Sequence, residues 1–99
     1  MSDEKSKEPI ASVKLDHPLE LKNGEKLLIV DFFRRPTAGD FRGIKNLTNM
    51  VMEDQCKIIS NLTDIAPPVL YRLDFSDYER VAGIFTGFLG TGQETTEEA

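Results

Sequence analysis

The sequence predicts an α+β fold: an N-terminal β-hairpin packed on three or four short α-helices, followed by a disordered acidic C-terminal tail. Three observations carry this. Asn23-Gly24 stands between two segments rich in Val, Ile, Leu and Phe. From Pro36 onward the apolar residues recur at helical rather than alternating spacing. Beyond Leu89 apolar residues almost vanish while Glu94, Glu97 and Glu98 accumulate.

Asn-Gly suits a two-residue turn, because a primed turn needs positive φ at both positions. Such a turn sets Leu19 opposite Leu28, His17 opposite Val30 and Leu15 opposite Phe32. Opposed residues share a face, so Val13, Leu15, Leu19, Leu28, Val30 and Phe32 are expected to form one apolar surface. Asp16, Glu20, Leu27, Ile29, Asp31 and Phe33 take the other. Pro18 has no N–H to donate and marks the first strand as an edge. Two strands are marginal alone and must lie on helices.

Thr37-Ala38-Gly39-Asp40 has capping-box chemistry, with Asp40 able to reach back to the Thr37 amide. Phe41, Ile44 and Leu47 follow at helical spacing. A break near Thr48-Asn49 precedes a second helix, expected over roughly 50–61, whose apolar side carries Val51, Met52, Cys56, Ile58, Ile59 and Leu62. Pro67 and Pro68 suit the first positions of a short helix ending near Arg72. Asp74 or Ser76 caps the last helix, which is expected to end near Leu89 at Gly90 and Gly92.

The 99 residues support one domain, read as 10–90 between tails 1–9 and 91–99. A chain of this size buries only about 60–65% of its unfolded surface. The net charge of −5 is uneven: −1 on residues 1–9, −1 on 10–90 and −3 on 91–99. A near-neutral body argues against binding a phosphate backbone, so no nucleic acid is expected as a partner. The first nine residues lack the apolar core of a signal peptide. The most apolar run, Val81 to Leu89, is about half the ~20 residues a bilayer requires, so a cytosolic protein with no membrane partner is expected.

Catalytic and metal-binding patterns do not emerge. His17 is the one histidine, and the neighbouring Asp16 points to the opposite face of a strand, so it lacks an orienting acid. Cys56, the single cysteine, falls in an apolar arc and reads as a buried hydrophobe. No Cys/His spacing suits zinc, and the glycines match no phosphate-binding loop. Helix capping accounts for Asp74 and Asp77. The expectation is a non-enzyme with no cofactor and no metal.

Interaction features remain. Phe75, Tyr78, Val81, Ala82, Ile84, Phe85, Phe88 and Leu89 cover about half of the last helix, more than a surface helix needs. Tyr78, Phe85 and Phe88 are therefore expected to meet a partner. Gln55, in the middle of the second helix's apolar arc, is either satisfied in the core or open to another chain. Gly83 and Gly87, one turn apart, could admit a close helix. Arg34 and Arg35, with Arg42 and Lys45 beyond them, gather positive charge where acidic groups could dock, or form a solvated face.

The segment Phe33-Arg34-Arg35-Pro36-Thr37-Ala38-Gly39-Asp40-Phe41-Arg42 resembles the hairpin-to-helix junction of the small tail assembly chaperones of contractile-tailed phages and prophages. Arg35, Pro36, Thr37, Gly39 and Asp40 carry the motif. The order of the remaining parts is similar as well: Ile58 to Thr63, a turn at Ala66-Pro67-Pro68, and Leu73-Asp74 with Asp77-Tyr78 opening the last helix. The likeness spans about residues 12–90, with a short apolar departure at 48–53. It implies binding of the tape-measure protein in the host cytoplasm, absence from the mature virion, and the tail-tube protein or a second copy as further partners. In some relatives a −1 frameshift yields a longer product, and Gly87-Phe88-Leu89 can be encoded by slippery codons. A small tail-completion or connector protein of the virion, and a small nucleic-acid-binding regulator, are the alternatives.

Overall fold

The computed structural model describes residues 8–47 and 49–98, with side chains as far as Leu89. The N-terminal tail expected over residues 1–9 thus falls largely outside the described residues. Strands β1 (Ala11–Glu20) and β2 (Lys26–Phe32) form a two-stranded antiparallel sheet. A 3-10 turn (Ala38–Phe41) leads to helices α1 (Met52–Thr63), α2 (Pro67–Leu70) and α3 (Phe75–Glu98).

The hairpin forms where expected, but not in the expected register. Its turn is Leu21-Lys22-Asn23-Gly24, closed by Gly24 N–H donating to Leu21 O at 2.9 Å and Leu21 N–H to Glu25 O at 2.7 Å. Only Gly24 of the central residues has positive φ, at 90°. Asn23 instead accepts the Glu25 N–H on Oδ1 at 3.0 Å. This is a three-residue loop with glycine in the left-handed position, so Leu19 pairs with Leu27 rather than Leu28.

A second shift lies further along. Lys14 pairs with Ile29 while Leu19 pairs with Leu27, so four residues of β1 pass a single residue of β2. Val13 therefore opposes Val30 and Ala11 opposes Phe32, in place of His17 and Leu15. The bulge contains Pro18, which lacks an N–H, and the amides of Asp16 and His17, which bond outside the sheet. Val13, Leu15, Val30 and Phe32 are buried as anticipated, Leu19 only partly, and Leu28 is 52% exposed.

At the junction the capping box forms, with Thr37 N–H donating to Asp40 Oδ2 at 2.7 Å. The helix expected to follow stops after four residues. Arg42 is extended and Gly43 has a φ of 87°, a left-handed conformation that ends the run before Ile44 and Leu47 can join it. Leu47 is consequently exposed.

Helix α1 starts two residues later than anticipated and ends at Asp64, whose left-handed backbone closes the last turn by N–H donation to Ser60 O at 2.8 Å. Pro67 and Pro68 occupy the first two positions of α2. Asp74 caps α3, accepting the Ser76 N–H on Oδ2 at 3.1 Å. The α3 backbone stays helical to Glu98, past Gly90 and Gly92. Glycine inside a helix costs only about 1 kcal/mol and does not by itself terminate it.

The core gathers Val13, Leu15, Val30 and Phe32 from the sheet and Cys56, Ile58, Ile59 and Leu62 from α1. Leu70, Leu73, Tyr78, Val81 and Phe85 complete it. Phe33 N–H donates to Leu62 O at 2.9 Å, fastening the end of β2 to the end of α1. Guanidinium groups stitch the layers: Arg72 donates to Glu20 O at 2.8 Å and Arg80 to Lys14 O at 3.0 Å.

Candidate partner-binding site

The structure sorts the candidate residues by burial. Phe85 is 0% exposed and Tyr78 5%, both inside the core. The Tyr78 hydroxyl donates to Gln55 Oε1 at 3.0 Å, so Gln55, half-buried, has a partner within the chain. Cys56 Sγ stands 3.8 Å from the same hydroxyl. Burial, with this contact to Cys56 added, holds the Tyr78 phenol well above its ordinary range. Burial likewise raises the Cys56 thiol, as an unreactive cysteine requires.

Phe88 is half-buried, edge-on to Phe32 with ring centroids 5.7 Å apart. Arg35 lies over its ring at 5.1 Å and donates to Phe88 O at 3.1 Å. Arg34 forms a two-pronged pair with Asp40, at 2.9 and 3.0 Å. That guanidinium holds the Asp40 carboxyl well below the usual carboxylate range. Both arginines are engaged within the chain, so the motif around Pro36, Thr37 and Gly39 builds the junction between sheet and helices. A Cβ at Gly39 would meet only Thr37 Oγ1, at an ordinary 3.7 Å. Gly83 and Gly87 look onto open space, with nothing within 4 Å of a built Cβ.

Asp77 is the residue whose role sequence reasoning missed. It does not cap α3. Its side chain is fully buried and accepts the backbone N–H groups of Asp16 at 3.1 Å and His17 at 2.9 Å. Arg80 donates to it as well and pairs with Asp16 at 3.4 Å. Burial opposes ionisation, but the two amides and Arg80 outweigh it and lower the pKa. The bulge of β1 is thereby pinned to α3. His17, expected on the apolar face, is exposed, with Nε2 3.8 Å from Asp74. Among the described residues no group of three or more His, Cys, Asp or Glu could hold a metal ion, and no helix is long and apolar enough to cross a membrane.

The apolar surface left outside the core lies elsewhere than the middle of α3. The Tyr78–Gln55 bond sets the first turns of α1 and α3 side by side. Around that joint Phe75 is 65% exposed, Val51 61%, Tyr71 48% and Met52 39%. Burial, then the influence of Cys56, Glu53 and Asp54, raises the Tyr71 phenol. Val51 and Met52 were expected in the buried arc of α1. They escape it because the helix begins at Met52 and its first turn overshoots the core. Their position at the helix start was the available signal.

The chain belongs to the family of phage tail assembly chaperone proteins, described as "E, or 41 or 14", whose model matches residues 12–90. The match spans the hairpin, the Arg34–Asp40 junction and α3 as far as Gly90. No curated protein and no solved structure matches the chain.

Proposed function

We propose that this chain is a non-enzymatic chaperone that binds the tape-measure protein in the bacterial host cytoplasm. It keeps that protein soluble until the tail tube polymerises around it, and it is absent from the finished particle. The observation that supports this reading is the exposure of Val51 and Met52 at the start of α1, of Phe75 at the start of α3 and of Tyr71 at the end of α2. A long helical protein without its sheath presents apolar stripes that aggregate in water. A patch of aromatic and methionine side chains on short helices suits such a stripe, since methionine adapts to irregular surfaces and aromatics bury large areas.

The test is co-expression with the tape-measure gene, scoring the soluble fraction of its product. Wild type is expected to raise that fraction, and Phe75→Asp to abolish co-purification while circular dichroism stays unchanged. Equal precipitation with and without the wild-type chain would end this reading. The tail-tube protein and a second copy of the chain are further partners to score in the same pull-down. A longer product made by −1 frameshifting at Gly87-Phe88-Leu89 belongs to the same proposal. It requires T-rich codons there and an open −1 frame beyond, which the gene sequence will decide.

A further inference from the structure

A concave surface lies where the hairpin turn meets α2. Leu21 at the end of β1 and Ala66, Pro68 and Val69 around α2 wall a trough of about 450 Å³. That volume falls within the roughly 300–1,000 Å³ typical of ligand sites. Lys22 and Arg72 also line it, and none of its lining residues is acidic. The walls are tied together. Arg72 donates to Glu20 O at 2.8 Å, and the turn bearing Lys22 is closed by its two backbone bonds.

Like Lys14, Lys26, Arg42, Lys45 and Lys57, neither cation is paired with a carboxylate among the described residues. Arg34 is neutralised by Asp40, Arg80 by Asp16 and Asp77, and Arg35 rests on Phe88. The Arg72 contact is to a backbone carbonyl. In a chain of net charge −5, two un-neutralised cations over an apolar trough make a local site of opposite sign.

We infer that this trough docks a peptide segment in which an apolar side chain is followed closely by a carboxylate. The inference deepens the proposed function and rests on it: the segment belongs to the client protein, held here in addition to the Phe75 patch. The apolar side chain fills the space between Leu21 and Val69, and the carboxylate meets Lys22 and Arg72. Charge at the rim selects among apolar segments, which burial alone does not do.

The experiment is titration of the full ¹⁵N-labelled chain with the peptide acetyl-Ala-Leu-Glu-Glu-Leu-Ala-amide and its Gln-Gln counterpart. Shifts are expected at the amides of Leu21, Lys22, Val69 and Arg72 with the acidic peptide, and binding at least about threefold weaker for the Gln-Gln one. Lys22→Glu removes that preference without touching a structural bond. Arg72→Lys, which retains the charge, keeps it. Equal binding of the two peptides, shifts centred elsewhere, or binding only after removal of residues 1–7 would overturn the inference, the last by showing the chain's own N-terminus to be the occupant. If the peptides fail while wild type still solubilises the tape-measure protein, the trough alone is refuted. If wild type fails to solubilise it, the parent reading falls.

Discussion

The carboxylate of Asp77 accepts the backbone N–H of His17 at 2.9 Å, joining residues 60 apart in sequence. With the parallel bond from Asp16 at 3.1 Å, it replaces the partners that two β1 amides would otherwise have found in β2. Strand register and the position of α3 are therefore one interlocked arrangement, and several consequences can be measured.

Asp77→Asn preserves the shape but removes the charge facing Arg80 and turns one acceptor oxygen into a donor beside two amides. The melting temperature is expected to fall by about 5–10 °C, read by circular dichroism. Amide exchange at Asp16 and His17 should accelerate most.

Acid sensitivity follows from the same group and from Asp40. Both carboxyls titrate below their ordinary values in the folded protein. The unfolded chain therefore takes up protons first as pH falls. Their stabilising effect is full well above the unfolded carboxylate pKa of about 4 and drains away below it. Urea midpoints should be flat from pH 7 to 5 and drop towards pH 3. In Asp77→Asn the drop should be shallower.

Phe85 and Phe75 should separate folding from binding. Phe85 is fully buried, so Phe85→Ala is expected to cost about 3–5 kcal/mol and leave little folded protein. Phe75 is mostly exposed, and Phe75→Ala should change stability by no more than about 0.5 kcal/mol. Chemical denaturation of the two variants checks both.

Cys56 should be silent in the native state. Its side chain is fully buried and its thiol is raised above the ordinary value by burial. A thiol reagent at pH 8 is expected to label it only after unfolding, so the labelling rate in increasing urea should follow the unfolding curve. Prompt labelling without denaturant would contradict the packing around Tyr78.

Glycines give a paired test. Gly24 has a φ of 90°, and Gly24→Ala should destabilise by about 1 kcal/mol. Gly83 and Gly87 lie inside α3 facing open space. Alanine at either should stabilise by roughly 0.5–1 kcal/mol, measured by thermal melts. Loss of client binding in these stabilised variants would show that a partner approaches this face closely.

What the sequence determined by itself was local. The turn at Gly24, the Thr37–Asp40 box, the prolines opening α2 and the Asp74 cap each depend on residues within a few positions of one another. Their chemistry is legible in order along the chain, and so is the family motif from Arg35 to Asp40, the last of which meets Arg34 six residues back. Apolar spacing also identified much of the core, since Ile58, Ile59, Leu62 and Val81 lie on the apolar arcs of their helices, whereas Phe85, expected to meet a partner, is buried instead.

Tertiary structure decided register and exposure. One residue added to the hairpin loop and three to the β1 bulge re-paired the strands, and no local rule specifies a bulge held by Asp77 from a distant helix. It also decided which apolar residues stay outside: Phe85 is enclosed in the core, while Phe75, one helical turn before Tyr78, stays mostly exposed. Periodicity gives the face of a helix, but where along that face the neighbouring elements end is a property of the packed molecule.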